Sequence, residues 1–358
     1  AYSLRSFDAD ADPNVVNVRR SSDGATSDFT ASEVSDGTLT SWVNTEYETV
    51  VNGEFATDSE WTKGVGWSIA NGKATSDGTQ TGNSYLYQLS NMGASQSQRV
   101  TLVVSGYVAG TVKVRLGDSA PASSVTPDLS SNGTYVFTLP SHSAEPYLFL
   151  QASSDFQGSI ESISVVQLTA NGHVTTWYDQ GGTNHATQST ASSQPKIVDG
   201  GTLVTDGSGS PAILGDGVDD TLFHPTLTNE LDSSDFLVTA AYENSLALGV
   251  SGGVPRLYMT QAAMSYNNLN SITFSNQSGR NILSFQTNGN AQEIFGNGTS
   301  LGTSSEAQAN FSYSMFNVMR AGSGFSNGLL MEVVVFDENQ VSNRTGIENN
   351  INDTYTIY

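Results

Sequence analysis

The chain has 358 residues, with 13 Lys and Arg against 35 Asp and Glu and a formal charge of −22. A field this negative repels polyanions, which argues against nucleic-acid binding through phosphate neutralisation and against adsorption to anionic membranes. Cysteine is absent, which excludes disulfides, thiolate metal sites and cysteine nucleophiles, and no apolar run approaches the ~18 residues of a membrane helix.

Helix signals are scarce. A short one lies around Leu39, Trp42 and Val43. Strand patterns follow at Val100–Val104, Thr111–Leu116, Tyr135–Leu139, Tyr147–Gln151 and Ser162–Leu168. Later come Phe236–Tyr242, Ile282–Gln286, Gln292–Gly296, Phe316–Arg320 and Leu329–Phe336. Turn pairs such as Asn52-Gly53, Asn71-Gly72, Asp77-Gly78, Asn132-Gly133, Asn297-Gly298 and Asn327-Gly328 punctuate them. Near the C-terminus, Ser342 is the expected N-cap of a helix whose apolar stripe is Val341, Ile347 and Ile351. Many short strands with turn signals predict an all-β, jelly-roll or sandwich architecture. Leu102, Val104, Val112, Val114, Leu116, Val136, Leu148 and Leu150 are the expected core of the middle of the chain.

Two stretches read as domain edges, Tyr47–Gly53 and Leu168–Gly172. The outer parts resemble one family when joined. Ala1–Arg5, Val16–Asp23, Trp177-Tyr178-Asp179-Gln180-Gly181-Gly182 through Gln188, Gly215–Asp220 and Ser326–Phe336 are similar to LamG-like (concanavalin-type) jelly rolls. Such modules occur in phage structural proteins and in the catalytic domain of fungal α-L-arabinofuranosidases. The block between resembles a carbohydrate-binding jelly roll, through Asn52–Phe55, Trp61, Gly66–Ala74 and Ser159–Val166. The expected organisation is two jelly-roll β-sandwiches, one inserted into a loop of the other: 1–46 with 172–358, and 47–171.

The family's catalytic acid belongs just before a string like Ser326-Asn327-Gly328, and Gly324 stands there. Retaining hydrolysis needs two carboxyls about 5 Å apart. The family's Glu segment has no counterpart between Tyr242 and Met264, although Glu243 lies in that region, and Glu332, on an apolar strand, is a further carboxylate expected to face outward. Gly249–Gly253 satisfies G-x-S-x-G but lacks the helix that a nucleophile elbow requires. His142, His173, His185 and His224 lack zinc-ligand spacing, and His185 reads as structural. Asp8, Asp10 and Asp12 resemble half of an EF-hand, but Pro13 and Arg19 occupy positions that need Gly and Glu.

A sugar's apolar face stacks on aromatic rings. The expected carbohydrate contacts in the inserted block are Trp61, Trp67, Tyr85, Tyr87 and Gln88, with Tyr85 and Tyr87 on one strand face if Leu86 points inward. The resemblance also implies a structural calcium between first and last strands, with Glu54 and Glu161 at the comparable ends. The expectation is a non-enzymatic bacteriophage virion protein, such as a capsid decoration, head fibre or tail fibre, on the particle surface. Its partners would be capsid or other virion proteins, host or environmental glycans, and copies of itself in a trimer, with neither nucleic acid nor membrane insertion. The alternatives are a secreted bacterial glycan-binding protein or arabinofuranosidase-type glycoside hydrolase, and a purely structural capsid cement protein.

Overall fold

The computed structural model describes all residues except 9, 91–96, 118–123, 141–146, 169, 226–236, 251–256, 267–269, 278, 290, 306–314, 322–323 and 337. The chain divides into two compact units. One comprises 1–20, 25–42 and 171–358; the other comprises 21–24 and 43–170. Both are built from antiparallel strands, and among the described residues helices are limited to Ala31–Ser35, Thr38–Val43 and Arg344–Tyr355, with one 3₁₀ turn at Ala191–Ser193.

The second unit shows why its sequence folds as it does. A five-stranded sheet runs in the order Ser124–Val125, Val112–Leu116, Tyr147–Ala152, Ser84–Leu89, Thr62–Lys63. A six-stranded path includes Gly133–Pro140, Ser97–Ala109, Gln157–Gln167, Lys73–Asp77 and Trp67–Ala70, with Tyr47–Glu48 also paired to Gln157–Gln167. Strand side chains alternate between faces. Leu86, Val112, Val114, Leu116, Leu148 and Leu150 therefore point from the first sheet into the core, against Val100, Leu102, Val104, Ile160, Ile163 and Val165 from the second. Val136 departs from the expected core: it is 59% exposed. The strand Gly133–Pro140 turns Tyr135, Phe137 and Leu139 toward the core instead. Alternation makes it impossible to bury both sets.

The first unit is built on two long ladders. One runs Thr299–Ser304, Ala291–Gly296, Arg280–Asn288, Leu237–Glu243, Leu329–Phe336, with Tyr2–Ser3 and Ile213–Leu214 on the last strand. The other begins Thr26–Thr30, Asn14–Arg20, Gly172–Trp177, Ala186–Thr187, then continues through Leu222–Pro225, Met315–Val318 and Ala247–Val250. Trp177 is fully buried beside Tyr2, 5.8 Å between ring centroids.

Short helices need help at their ends. The first carries a capping box, Thr30 with Glu33. The C-terminal helix starts one residue later than expected, with Asn343 rather than Ser342 at the N-cap position. Its inward stripe is Ile351 and Tyr355 with Ile347 alongside, packed on Ile282, Met331 and Val334, whereas Val341 is exposed.

Glu332 departs from the expected outward orientation. The residue is 1% exposed and its carboxylate is held by Arg5, Nε to Oε2 at 2.8 Å and Nη2 to Oε1 at 3.1 Å, with Ser3 Oγ donating at 3.0 Å. The Tyr355 hydroxyl joins the group at 3.3 Å, its pKa driven upward first by burial and then by the Glu332 charge. A strand at the very start of the chain is thereby tied to one 329 residues later. Removing one member of a buried ion pair costs about 3–5 kcal/mol, because the survivor keeps its charge without compensation. Arg5→Met should lower unfolding free energy by about that much in urea titrations, and Arg5→Met with Glu332→Met should recover most of it. Equal loss in the single and double variants would show that packing rather than charge is at stake.

Candidate functional site

The inward-facing rows of the five-stranded sheet fix what faces outward. With Leu86 fully buried, Tyr85 and Tyr87 face away from the core. With Leu148 and Leu150 buried, Tyr147, Phe149 and Gln151 do the same, and with Val112, Val114 and Leu116 buried, so do Lys113 and Arg115. The register aligns them into rows. Tyr87 lies between Thr62 and Phe149, and Phe149 lies beside Arg115, which pairs with Val125. Tyr85, Gln151 and Lys113 form the next row.

Four aromatic rings meet here. Phe149 lies 5.3 Å from Tyr87, 5.7 Å from Tyr147 and 6.0 Å from Tyr85, and Tyr87 lies 6.1 Å from Tyr147. Phe149 is 9% exposed, so the tyrosines cover it and present the accessible surface. The tilted and edge-on geometries are those aromatic pairs favour. Beside Tyr85 and Tyr87 opens a cleft of about 500 Å³, lined also by Thr62, Lys63, Asn83 and Ser84. A Cβ on Gly64 would come within 2.8 Å of the Tyr85 carbonyl oxygen, so glycine there allows the cleft wall to lie against the tyrosine strand. Gln151 Oε1 accepts a hydrogen bond from Arg115 Nη1 at 3.1 Å, and Lys113 pairs with Asp128 at 2.8 Å.

The structure brings Tyr85 and Tyr87 to one face but sends their companions elsewhere. Trp61 and Trp67 are core residues, each 7% exposed, packed on Phe55 and Phe156. The Trp61 indole N–H is used on the Asn52 carbonyl at 3.0 Å. Gln88 shares the parity of Leu86, is 4% exposed, and pairs both its amide atoms with the Val51 backbone. These three are therefore withdrawn as surface contacts. Sequence reading passed over Phe149 and Arg115. The signal was present, because taking Leu148 with Leu150 and Val112 with Val114 as core already assigns the residues between them to the other face.

The remaining candidates resolve individually. Glu161 is bound to Lys73 at 2.8 Å and Glu54 is exposed; among the described residues neither belongs to a cluster of three ligand-bearing side chains. The one such cluster is Asp216, Asp219 and Asp220, whose ligand atoms fall within 4.8 Å of one another. Asp8 and Asp12 accept local bonds, from the Asp10 N–H and from Ser32. Glu243 accepts from the Gly207 N–H at 2.7 Å. At Gly324 a Cβ would meet only the Ala321 carbonyl oxygen at 3.5 Å, so the glycine there is not enforced by crowding. His185 Nδ1 accepts from the Asp179 N–H at 3.1 Å and its ring lies edge-on to Tyr178. His142, Ser251–Gly253 and Gly322–Ser323 lie outside the described residues.

The architecture defines an all-β protein of two units with an aromatic platform on one sheet face. No family model matches the chain, and no curated protein does. Among solved structures it is similar to domains LG4-5 of the mouse laminin α1 chain, at 10% identity over 78% of this chain and 91% of that one, with a TM-score of 0.31. It is similar to the CBM22-1–CBM22-2 tandem domain of Paenibacillus barcinonensis Xyn10C at 9% identity over 80% and 97%, TM-score 0.27. It is also similar to an F-lectin (fucolectin) from striped bass (Morone saxatilis) serum at 11% identity over 82% and 95%, TM-score 0.24.

Within the acidic cluster, burial pushes the Asp220 carboxyl up to about 6, and the charge of Asp216 adds to the effect. The folded state thus holds its proton more tightly than an unfolded chain with an ordinary carboxyl. That contribution is fully present below the ordinary carboxylate pKa and is lost as pH rises through about 6. Asp220→Asn removes the penalty of a buried charge. It should raise Tm by a few degrees at pH 7.5 and leave it nearly unchanged at pH 4, measured by calorimetry; the same increment at both values would exclude titration as its source.

Proposed function

We propose that the protein is a non-enzymatic glycan-binding protein, and that the Tyr85, Tyr87, Tyr147 and Phe149 face is where sugar docks. The observation that carries this reading is the ring cluster itself. It sits on the outer face of a sheet whose other face supplies the core, so burying these side chains contributes nothing to closing the sandwich. Three partly exposed tyrosines offer apolar faces for sugar C–H groups and hydroxyls for sugar oxygens. Gln151 and the polar cleft beside Tyr85 add amide and hydroxyl partners, the mixture of apolar surface and few polar groups usual in ligand sites.

A hydrolase reading is disfavoured by the carboxylates. Gly324 supplies no acid, and Glu332 is sequestered by Arg5. For the setting, we infer display on a bacteriophage particle, with virion proteins as partners. The strings Trp177–Gln188 and Ser326–Phe336 support this by their likeness to phage structural modules, and the acidic, cysteine-free composition suits a soluble particle surface. Mass spectrometry of purified virions tests that setting, and absence of the polypeptide overturns it.

For the binding surface, a glycan array of bacterial and plant polysaccharides should yield hits. Tyr87→Ala should weaken the strongest by about tenfold or more with Tm maintained, since the side chain stands outside the core. Undiminished binding by this variant would place the site elsewhere, and an array without hits would overturn the glycan reading.

A further inference from the structure

Another cleft lies in the first unit, where Arg280–Asn288 ends, Ala291–Gly296 begins and Thr299–Ser304 ends. It holds about 370 Å³ and is lined by Gln286, Asn288, Gln292, Glu293, Thr303 and Ser304, with Ala291 and Val341 on its apolar side. The register explains the grouping. Gln286 pairs with Glu293, and Glu293 with Thr303, so the three stand in one row on one face of the sheet. Thr303 is exposed and Glu293 partly exposed, whereas Gln286 is 7% exposed. The buried Gln286 amide oxygen has no hydrogen-bond partner among the described residues, and neither has either amide atom of Gln292, which is 2% exposed. Buried polar atoms are nearly always paired, so three orphans on the wall of one cleft call for a partner from outside the chain. Asn288 differs: its Oδ1 accepts from Asn339 Nδ2 at 3.1 Å, which holds the rim.

We propose that this cleft is a second sugar site, which takes one unit of a neutral saccharide through hydrogen bonds to its hydroxyls. The donor set carries the argument. Sugar hydroxyls donate and accept at once. A glutamine amide offers a donor and an acceptor side by side, a carboxylate accepts from two hydroxyls, and threonine and serine do either. Along the row, Gln286, Glu293 and Thr303 can therefore meet neighbouring hydroxyls of one ring, while Ala291 and Val341 face its C–H groups. A pocket with a few converging polar groups on a partly apolar wall is the usual form of a small-ligand site. Glu293 and the charge of −22 disfavour an acidic sugar. Calcium is disfavoured by the lining, which contains one carboxylate where such sites gather several. The inference extends glycan binding to the first unit but uses none of the platform residues Tyr85, Tyr87, Tyr147 and Phe149, so either site can fail without the other.

The test uses saturation-transfer NMR on the full chain, with the methyl glycosides of glucose, galactose and mannose as probes, each in millimolar excess. In Tyr87→Ala, where the platform is disabled, at least one glycoside should still take up saturation. Titration of that glycoside should show affinity about tenfold weaker when Gln286→Met is added to Tyr87→Ala, and weaker again in direction when Thr303→Val is added instead. Gln286→Met should not lower Tm, because the amide oxygen it removes has no partner to lose, and Thr303→Val changes an exposed position. No transfer to any of the three glycosides in Tyr87→Ala, or affinity unchanged by both added substitutions, overturns the inference. A rise in Tm on adding calcium chloride that Glu293→Gln abolishes would assign the cleft to a cation and overturn it too. Transfer seen with the intact protein and lost in Tyr87→Ala alone leaves the platform standing as the sugar surface and removes this site only. Transfer kept by Tyr87→Ala and lost on adding Gln286→Met supports the cleft whatever becomes of the platform.

Discussion

The middle unit depends on register. Leu86, Leu150 and Val114 lie opposite one another across three neighbouring strands, and all three are fully buried. Because side chains alternate with a period of two, a slip of one residue in any of these strands would exchange its faces. Leu148 and Leu150 would be driven out and Tyr147, Phe149 and Gln151 driven in. The apolar core thus holds the register, and the register holds the outer rows. Tyr87, Phe149 and Arg115 are neighbours because Leu86, Leu150 and Val114 are buried.

This dependence explains what could be read from the amino-acid pattern and what could not. Strand identity is local, so Tyr147–Ala152, Val112–Leu116 and Leu329–Phe336 stand where their alternation or apolar run places them. Face assignment follows once one residue of a strand is known to be buried, as Leu86 shows for Tyr85 and Tyr87. It fails where both parities are apolar. Gly133–Pro140 offers Val136 on one side and Tyr135, Phe137 and Leu139 on the other, and only the larger set closes the core. Tryptophan was misleading for a related reason. Trp61 and Trp67 have the surface chemistry of sugar platforms, but each is buried in the core beside Phe55 or Phe156. Gln88 obeys the same rule, since it shares the parity of Leu86, but its partner, the Val51 backbone 37 residues away, is beyond any local pattern. What stays beyond sequence is adjacency. That Arg115 sits beside Phe149, and Phe149 beside Tyr87, is a property of strand order.

The other unit solves a different problem. Its first strand, Tyr2–Ser3, pairs with Leu329–Phe336, so closure joins segments that are nearly a whole chain apart. Contacts of such long sequence separation carry a large loop-closure cost. The buried group of Arg5, Ser3, Glu332 and Tyr355 lies at this junction. A buried ion pair adds little net stability over well-packed apolar residues, but it penalises every arrangement that leaves one partner alone. Pairings of the apolar strand Leu329–Phe336 that left Glu332 buried without Arg5 would carry that penalty. The same geometry removes Glu332 from any role in chemistry at the surface, since its oxygens are already committed to Arg5, Ser3 and Tyr355.

The two outer faces of the middle unit bear on how its aromatic side chains should be understood. The six-stranded sheet carries outward rows such as Ser68, Thr75, Ser159 and Ser105, aligned across four strands. Such residues suit a strand's solvent face, needing no partner beyond water or one another, as in the Thr75–Ser159 contact at 3.0 Å. The five-stranded sheet had the same solvent to face and the same freedom of composition. On that face it instead holds four large rings with Lys113 and Arg115, and its strands contain no carboxylate. Folding does not account for that difference, because both sheets contribute their inward rows to one core and each sandwich face could be finished with serine and threonine. Half-buried tyrosines gathered around Phe149 on that outer face are the observation on which the proposed glycan surface rests.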